Sequence, residues 1–423
     1  MTTELPPRFT LELEQALEQS LGPPPSATLT EPDRTAEQSL GPPESGIPTD
    51  QQSVSSSVRQ RRWDDPPEEE PTAPPENITT MVFVRLGRLR PYLETEIMQL
   101  SFSPDGTHLI AMAPRAVNTR TFSPEGVFTL LVWNVSTGQR VPGPSGPSGP
   151  SHGIRLNGGF ALKPAAPGQE TLVVACPFLV PNTSPYDHNG SLMGRLEIYD
   201  LSRRARLVKI DSPLRHPMVW SPDSALMAGV SMLEPSRIMV VQAPNAGTAI
   251  LKFTTMLLHH LDHVTHLAFL PASEHGGRAL VSAGRDGFVR VTNVITGRTI
   301  MKIEIGTRAA PKLLQVSRDG RLVVTVWGRD VVLWFLDSGR VHTYNLDTVR
   351  LGEGWPLAIS PDCRYLACRN EEGFDVMDVQ TGKFRGEFPW ARPTITAAAF
   401  NSDGTKLAVG DYYGNLQTFD VIA

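Results

Sequence analysis

His260-Leu261-Asp262-His263-Val264-Thr265-His266-Leu267-Ala268-Phe269 is followed, after a polar gap, by Arg278-Ala279-Leu280-Val281-Ser282-Ala283-Gly284-Arg285-Asp286-Gly287 and then by Phe288-Val289-Arg290-Val291-Thr292-Asn293-Val294. Within the larger span from Leu257 to Arg298, short apolar runs alternate with period two, and Gly, Asp or Pro closes each of them. That pattern predicts an antiparallel meander and not a helix. A single meander leaves its faces bare, so the chain must repeat it.

Outward from this stretch the copies are found by the polar residue that ends each first strand. Ser103, Lys163, Ser221, Leu270, Ser317, Ser360 and Asn401 hold that place, each after an apolar residue (Phe102, Leu162, Trp220, Phe269, Val316, Ile359, Phe400). Most open a turn such as Ser103-Pro104-Asp105-Gly106. Their spacings of 60, 58, 49, 47, 43 and 41 residues settle near the ~40–45 of a four-stranded propeller blade. Seven units follow.

The set His260, Asp262-His263-Val264, Phe269, Ser282, Asp286 and Val291 resembles a blade of the WD-repeat family, and the resemblance covers residues 80 to 423. In that family a His before the first strand, a Ser or Thr in the second, an Asp in the tight turn and a Trp in the third form a buried hydrogen-bonded set. The resemblance implies that structural role for His260, Ser282 and Asp286, with Thr292 standing where the Trp would be. The namesake Trp-Asp pair is degraded throughout (Trp133-Asn134, Tyr199-Asp200, Trp334-Phe335, Met377-Asp378, Phe419-Asp420), so no subfamily follows from the repeats. The expected class is all-β, a seven-bladed β-propeller over residues 78–423.

The ends of the chain bear on how the ring shuts. Val82, Val84 and Leu86 begin an apolar pattern ahead of the first full unit, and the seventh unit stops one strand short at Ala423. The segment near residues 81–89 is therefore expected to supply the outer strand of the seventh blade and so remove an exposed sheet edge.

Residues 1–77 are of another kind. They hold 14 of the 38 prolines and 15 acidic against 5 basic residues, a formal charge of −10 opposed to +5 for the rest. Such a tail cannot recover its ordering entropy by burial and reads as disordered, acidic and Pro-rich. Opposite charge makes a salt-sensitive fold-back onto the body an expectation. Phe9, Leu13, Ala16, Leu17 and Leu21 share one helical face beside Glu12, Glu14 and Glu18, a pattern suited to a partner's groove. Glu-Gln-Ser-Leu-Gly-Pro-Pro occurs at 18–24 and again at 37–43.

No chemical motif stands out. There is no Gly-X-Ser-X-Gly, no His-Glu-X-X-His and no Gly-rich phosphate loop ending in Lys-Ser/Thr. His259, His260, His263 and His266 cluster, yet His263 and His266 are three apart on a strand and point to opposite faces. Cys176, Cys363 and Cys368 form no Cys-X-X-Cys pair and read as reduced thiols. No run approaches the ~18 apolar residues of a membrane helix. The expectation is a cytoplasmic protein, with the nucleus as second compartment through Arg59, Arg61 and Arg62.

The function expected is a non-catalytic interaction scaffold, without cofactor, metal or nucleic acid, that binds other proteins through the loop face of the propeller and through residues 9–21, as a monomer within a larger complex. Two alternatives were weighed: a hydrolase-like propeller enzyme with its site at the channel mouth and the Pro177–Gly194 insertion as lid, or a lipid- or nucleic-acid-binding adaptor using Arg203, Arg204 and Arg206. The turns between second and third strands, and the connections into each first strand, share one side of the disc. Arg285, Arg329, Asn370, Tyr412, Tyr413, Trp355 and Trp390 lie there and are the candidate partner-binding residues, being of the types that dominate hot spots.

Overall fold

In five of the seven blades the turn that ends the first strand is built from its own side chains. Ser103, Ser221, Ser317 and Ser360 accept the amides of His108, Leu226, Leu322 and Tyr365 at 2.8–2.9 Å. Each hydroxyl donates in turn to the carboxylate two residues on: Asp105, Asp223, Asp319 and Asp362. Those carboxylates take the amides of Thr107, Ala225, Arg321 and Arg364. Blade seven keeps the plan with Asn401 on the Lys406 amide and Asp403 on that of Thr405. Burial opposes ionisation of Asp105, Asp223 and Asp403, but the turn hydrogen bonds outweigh it and hold these carboxyls below their ordinary value. The fourth residue of each turn is left-handed: Gly106, Gly320 and Gly404, with Ser224 and Cys363 tolerating φ of 59°.

The structure, a computed structural model, describes residues 83–89, 96–114, 128–141, 159–164, 172–181, 192–245, 248, 250–257, 260–271, 278–306, 309–346, 355–390 and 394–421. The acidic tail, the three Gly-Pro-Ser triplets after blade one and His259 lie outside them.

Among the described residues, twenty-eight strands form seven four-stranded antiparallel sheets. Six blades take four consecutive strands. The seventh takes three from the C-terminal end, Ile395–Phe400, Lys406–Asp411 and Leu416–Val421, and its outer strand is Phe83–Leu89. The pairing runs from Phe83 opposite Val421 to Leu89 opposite Leu416. The ring is therefore shut by its two ends, as the sequence predicts.

Packing repeats with the same count. Seven clusters of buried apolar residues occur, each shared by two neighbouring blades. The last, with Ile97, Leu109 and Trp133 of blade one against Ala397, Ala408 and Leu416 of blade seven, completes the circle. Each sheet thus buries both faces against its neighbours, which is why the strands read as nearly continuous apolar runs such as Leu322–Trp327.

The blade-two insertion expected at Pro177–Gly194 is shorter than that. Val173–Pro181 and Leu192–Asp200 are nine-residue strands paired from Val173 opposite Asp200 to Pro181 opposite Leu192, so only 182–191 can connect them. Gly194, read as loop punctuation, is instead a close-approach residue. A Cβ there would stand 2.0 Å from the Ser212 carbonyl oxygen of the fourth-strand exit.

Candidate functional site

A meander entering at one end of the disc returns there after its second strand. The second-to-third strand turns and the connections between blades therefore form one face, the loop face, and the remaining turns form the opposite one, the turn face. Among the described residues, at four blades of the loop face a carboxylate beside the turn, half-buried at Asp330 and removed from solvent at the others, is pinned by a side chain.

Blade four does it with histidine. His260 Nδ1 lies 2.9 Å from Asp286 Oδ1 and Nε2 lies 2.8 Å from Ser282 Oγ. The carboxylate only accepts, so Nδ1 carries the proton, and Nε2 accepts from the Ser282 hydroxyl. Asp286 also takes the Leu261 amide at 3.1 Å and Arg290 Nη1 at 2.9 Å. Although burial raises the Asp286 carboxyl, the His260 hydrogen bond, the Leu261 amide and the Arg290 charge together hold it well below the ordinary range. A Cβ on Gly284 would come within 2.8 Å of His260 Nδ1, so the imidazole occupies the space a side chain would need. Arg290, 8% exposed, is the member that the repeat pattern alone does not provide. Its signal is a charge at an inward position of the alternating run Phe288–Asn293, directly opposite Ser282.

Blade seven does it with tryptophan. Trp390 is 7% exposed and its Nε1 donates to Asp411 Oδ2 at 3.1 Å. Asp411, fully buried, further takes the amides of Tyr413 and Asn415 and the Asn415 side-chain amide. Trp390 is thus a correction to the expected contact set: its ring packs with Phe419 and Phe374 between blades six and seven, and its N–H is spent inside. Blades five and six use amides. Asn345 Nδ2 donates to Asp330 at 2.7 Å, and Asn370 Nδ2 to Asp375 at 2.7 Å. Asn370 Oδ1 also takes the Glu372 amide, so Asn370 is engaged within its turn.

Of the other candidates, Arg285 is exposed and Arg329 half-buried. Burial, followed by the Arg329 charge, lowers the Lys312 amine. Trp355 opens the first strand of blade six opposite Arg369, and its side chain lies outside the described residues. Tyr412 and Tyr413 are 55% and 45% exposed and meet edge to face with centroids 5.5 Å apart.

Three residues that sequence reasoning passed over join them. Met98, Leu233 and Leu261 are 45%, 39% and 87% exposed, and all sit on loop-face connections or turns. With the two tyrosines they make five of the eight large hydrophobics that stand exposed among the described residues; Ile250, Ile295 and Ile300 are elsewhere. The Met98 and tyrosine segments are neighbours, because the Ile97 amide bonds the Asp411 carbonyl at 3.1 Å. The sign that could have found them is an apolar residue where turn chemistry calls for a polar one, as Leu261 between His260 and Asp262.

The first strands pack side by side into an inner ring that carries His216, His266 and Lys312 on blades three, four and five. Burial pushes both imidazoles down to about 4, so they are neutral near pH 7. Among the described residues no group of three His, Cys, Asp or Glu side chains could hold a metal ion.

Comparison with known proteins meets this geometry at its centre. A family model described as "WD domain, G-beta repeat" matches residues 251–293, the blade built on His260 and Asp286. The WD repeat-containing protein SL1-17 of Schistosoma mansoni is 33% identical over 93 residues, 22% of this chain, and the match spans 30% of that relative's length. Among solved structures, the Cps50 (Swd1) β-propeller domain of Myceliophteria thermophila aligns with a TM-score of 0.58 over 81% of this chain and 100% of that one. At 14% identity the likeness is one of fold.

Proposed function

We propose that the chain, a seven-bladed β-propeller with one blade that matches the WD-domain family model, acts as a non-catalytic scaffold whose loop face binds a partner protein through exposed apolar residues with an acidic surround. The observation that carries this is the concentration of Met98, Leu233, Leu261, Tyr412 and Tyr413 on that face. Exposing a hydrophobic side chain gains nothing for folding, and exposed apolar residues gathered at one end of the disc mark a site of contact. Around these anchors stand the exposed carboxylates Glu234, Asp262, Glu371 and Glu372, with Arg285 as the exposed cation. That balance favours a partner segment that is basic with apolar anchors of its own. The rigid pins beneath, His260–Asp286 and Trp390–Asp411, fix the turns before any partner arrives and so lower the ordering cost of binding.

The test is affinity purification from the native cell with the full chain as bait, run beside Leu261→Ser with Tyr412→Ala, and beside Arg340→Glu with Lys383→Glu on the opposite face. Proteins lost from the first double variant alone, with its melting midpoint unchanged, support the reading. Equal recovery from all three baits overturns it.

A further inference from the structure

The turn face has the opposite character. Its third-to-fourth strand turns and their edges carry exposed Arg140, Arg203, Arg204, Arg298, Arg340 and Lys383. Against them stands one exposed carboxylate in these turns among the described residues, Asp337. The first-to-second strand turns of the same face carry exposed Asp105, Asp223, Asp319, Asp362 and Asp403 beside exposed Arg278, Arg318, Arg321 and Arg364, so the turn face keeps an excess of exposed bases while the loop face bears more exposed acids than bases. Beside this basic rim, where the first strands of blades five, six and seven reach the same face, lies a pocket of about 230 Å³. It is lined by Leu313, Leu314, Leu357, Ala398, Ala399 and Phe400 and bordered by Pro361 of the adjoining turn.

Where the chain enters the disc matters as much. Third strands run from the loop face to the turn face, so Val421 ends at the turn face, and Phe83, paired with it, begins there. Residues 1–82, which carry the acidic tail, therefore join the propeller at its basic end. From Leu21 to Phe83 there are 61 intervening residues (22 to 82). A flexible chain of that length has a root-mean-square reach of about 40–45 Å. The way inward from a fourth strand to a first strand is three strand spacings, about 14 Å. The tether is long enough with slack to spare, and it sets a high effective concentration of the tail at this face.

We infer that residues 9–21 of this same chain dock on the turn face, placing Phe9, Leu13, Leu17 and Leu21 at the apolar pocket and Glu12, Glu14 and Glu18 at the basic rim. The occupant is chosen by charge and by tether. The segment is the tail's one stretch with apolar residues on a single helical face, its carboxylates oppose the sign of this rim, and the loop face would repel them. The contact leaves the loop face open, so the tail and a partner on the loop face occupy opposite ends of the disc.

A photo-crosslinking benzophenone side chain installed at Phe9 in the purified full chain tests this directly. Irradiation at low salt, isolation of the monomer band and peptide mapping should join position 9 to residues 313–315, 357–361 or 398–400. Leu13→Asp with Leu17→Asp, which alters nothing in the propeller, should lower that yield at least about tenfold, since two apolar anchors are lost; added salt should lower it further. Crosslinks to the same residues confined to a dimer band would mean that a second copy's tail is the occupant, and would overturn the inference. So would crosslinks to the loop face, no crosslink at all, or a yield indifferent to the double substitution.

Discussion

Blades four and seven solve one problem with different chemistry. Both must hold a tight turn on the loop face with an aspartate that has left solvent, and both do so from the connection that precedes the first strand. Blade four sends His260 to Asp286, backed by Ser282 and Arg290. Blade seven sends Trp390 to Asp411, backed by Asn415 and two amides. Blade four is also continuous in sequence, whereas blade seven borrows Phe83–Leu89 from the other end of the chain. The comparison teaches that these two blades hold constant a buried acceptor in the turn with a donor from the preceding connection, while blades five and six take the donor from the fourth strand (Asn345) and from the turn itself (Asn370). The residue that donates is free to change, which is how a propeller survives the loss of its signature letters.

The strongest way to break that comparison is at the borrowed strand. Deleting residues 78–92 strips blade seven of its outer strand and leaves Leu416–Val421 as an open edge, while deleting 1–77 leaves every described strand pair in place. The first truncation should cost several kcal/mol, a fall in melting midpoint on the order of 10 °C, and the second close to nothing. Equal midpoints by thermal unfolding would show that the ring does not depend on its closing strand.

Next in size is the pair of donors. Trp390→Ala removes a large side chain from the cluster between blades six and seven as well as a donor, and should cost about 3–5 kcal/mol. His260→Ala leaves Asp286 and Ser282 short of a partner in a smaller space and should cost about 1–3 kcal/mol. Denaturant unfolding of both variants would decide. If His260→Ala proved the costlier, the charge network of blade four, and not the volume of the donor, would set the scale.

These two sites also show how far the chain could be read without coordinates. Ser103-Pro104-Asp105-Gly106 and its relatives carry their turn chemistry in the letters themselves, hydroxyl, carboxylate and left-handed residue at fixed offsets, so blade number and strand order followed. The His260 set was legible for the same reason: its members are defined by spacing. Depth was not legible. Trp390 and Tyr412 belong to equivalent loop-face segments, and no local signal says that one ring is 7% and the other 55% exposed. That difference comes from Phe374, Phe388 and Phe419 meeting across two blades, a long-range fact. Gly194 failed for a related cause, since a glycine that makes room for a neighbouring backbone looks the same in sequence as one that makes a turn.

The smallest expected effect separates the two pins by charge. Asp286 is held below its ordinary value in the folded chain by His260, the Leu261 amide and Arg290, against the opposing effect of burial. A carboxylate with a depressed folded pKa contributes stability that is complete above its unfolded value, about 3.9, and is lost as pH falls below that value toward the folded one. One unit beneath the unfolded value, near pH 3, the loss is on the order of 1 kcal/mol. Asp286→Asn keeps the shape but has no proton to take up. Between pH 7 and pH 3 it should therefore lose about 1 kcal/mol less stability than the parent chain, even though it is the less stable of the two at neutral pH. The other depressed carboxyls, Asp105, Asp223, Asp262, Asp319, Asp378 and Asp403, are present in both proteins, and placing both in a His260→Gln background removes the imidazole, whose partner Asp286 is, from the difference. Among the described residues every donor to Asp411 in blade seven is a neutral N–H, so the bond itself is the interaction seen there. Chemical unfolding at the two pH values measures the difference. Parallel losses in parent and variant would mean that the blade-four pin holds by hydrogen bonding alone and is no more ionic than its counterpart in blade seven.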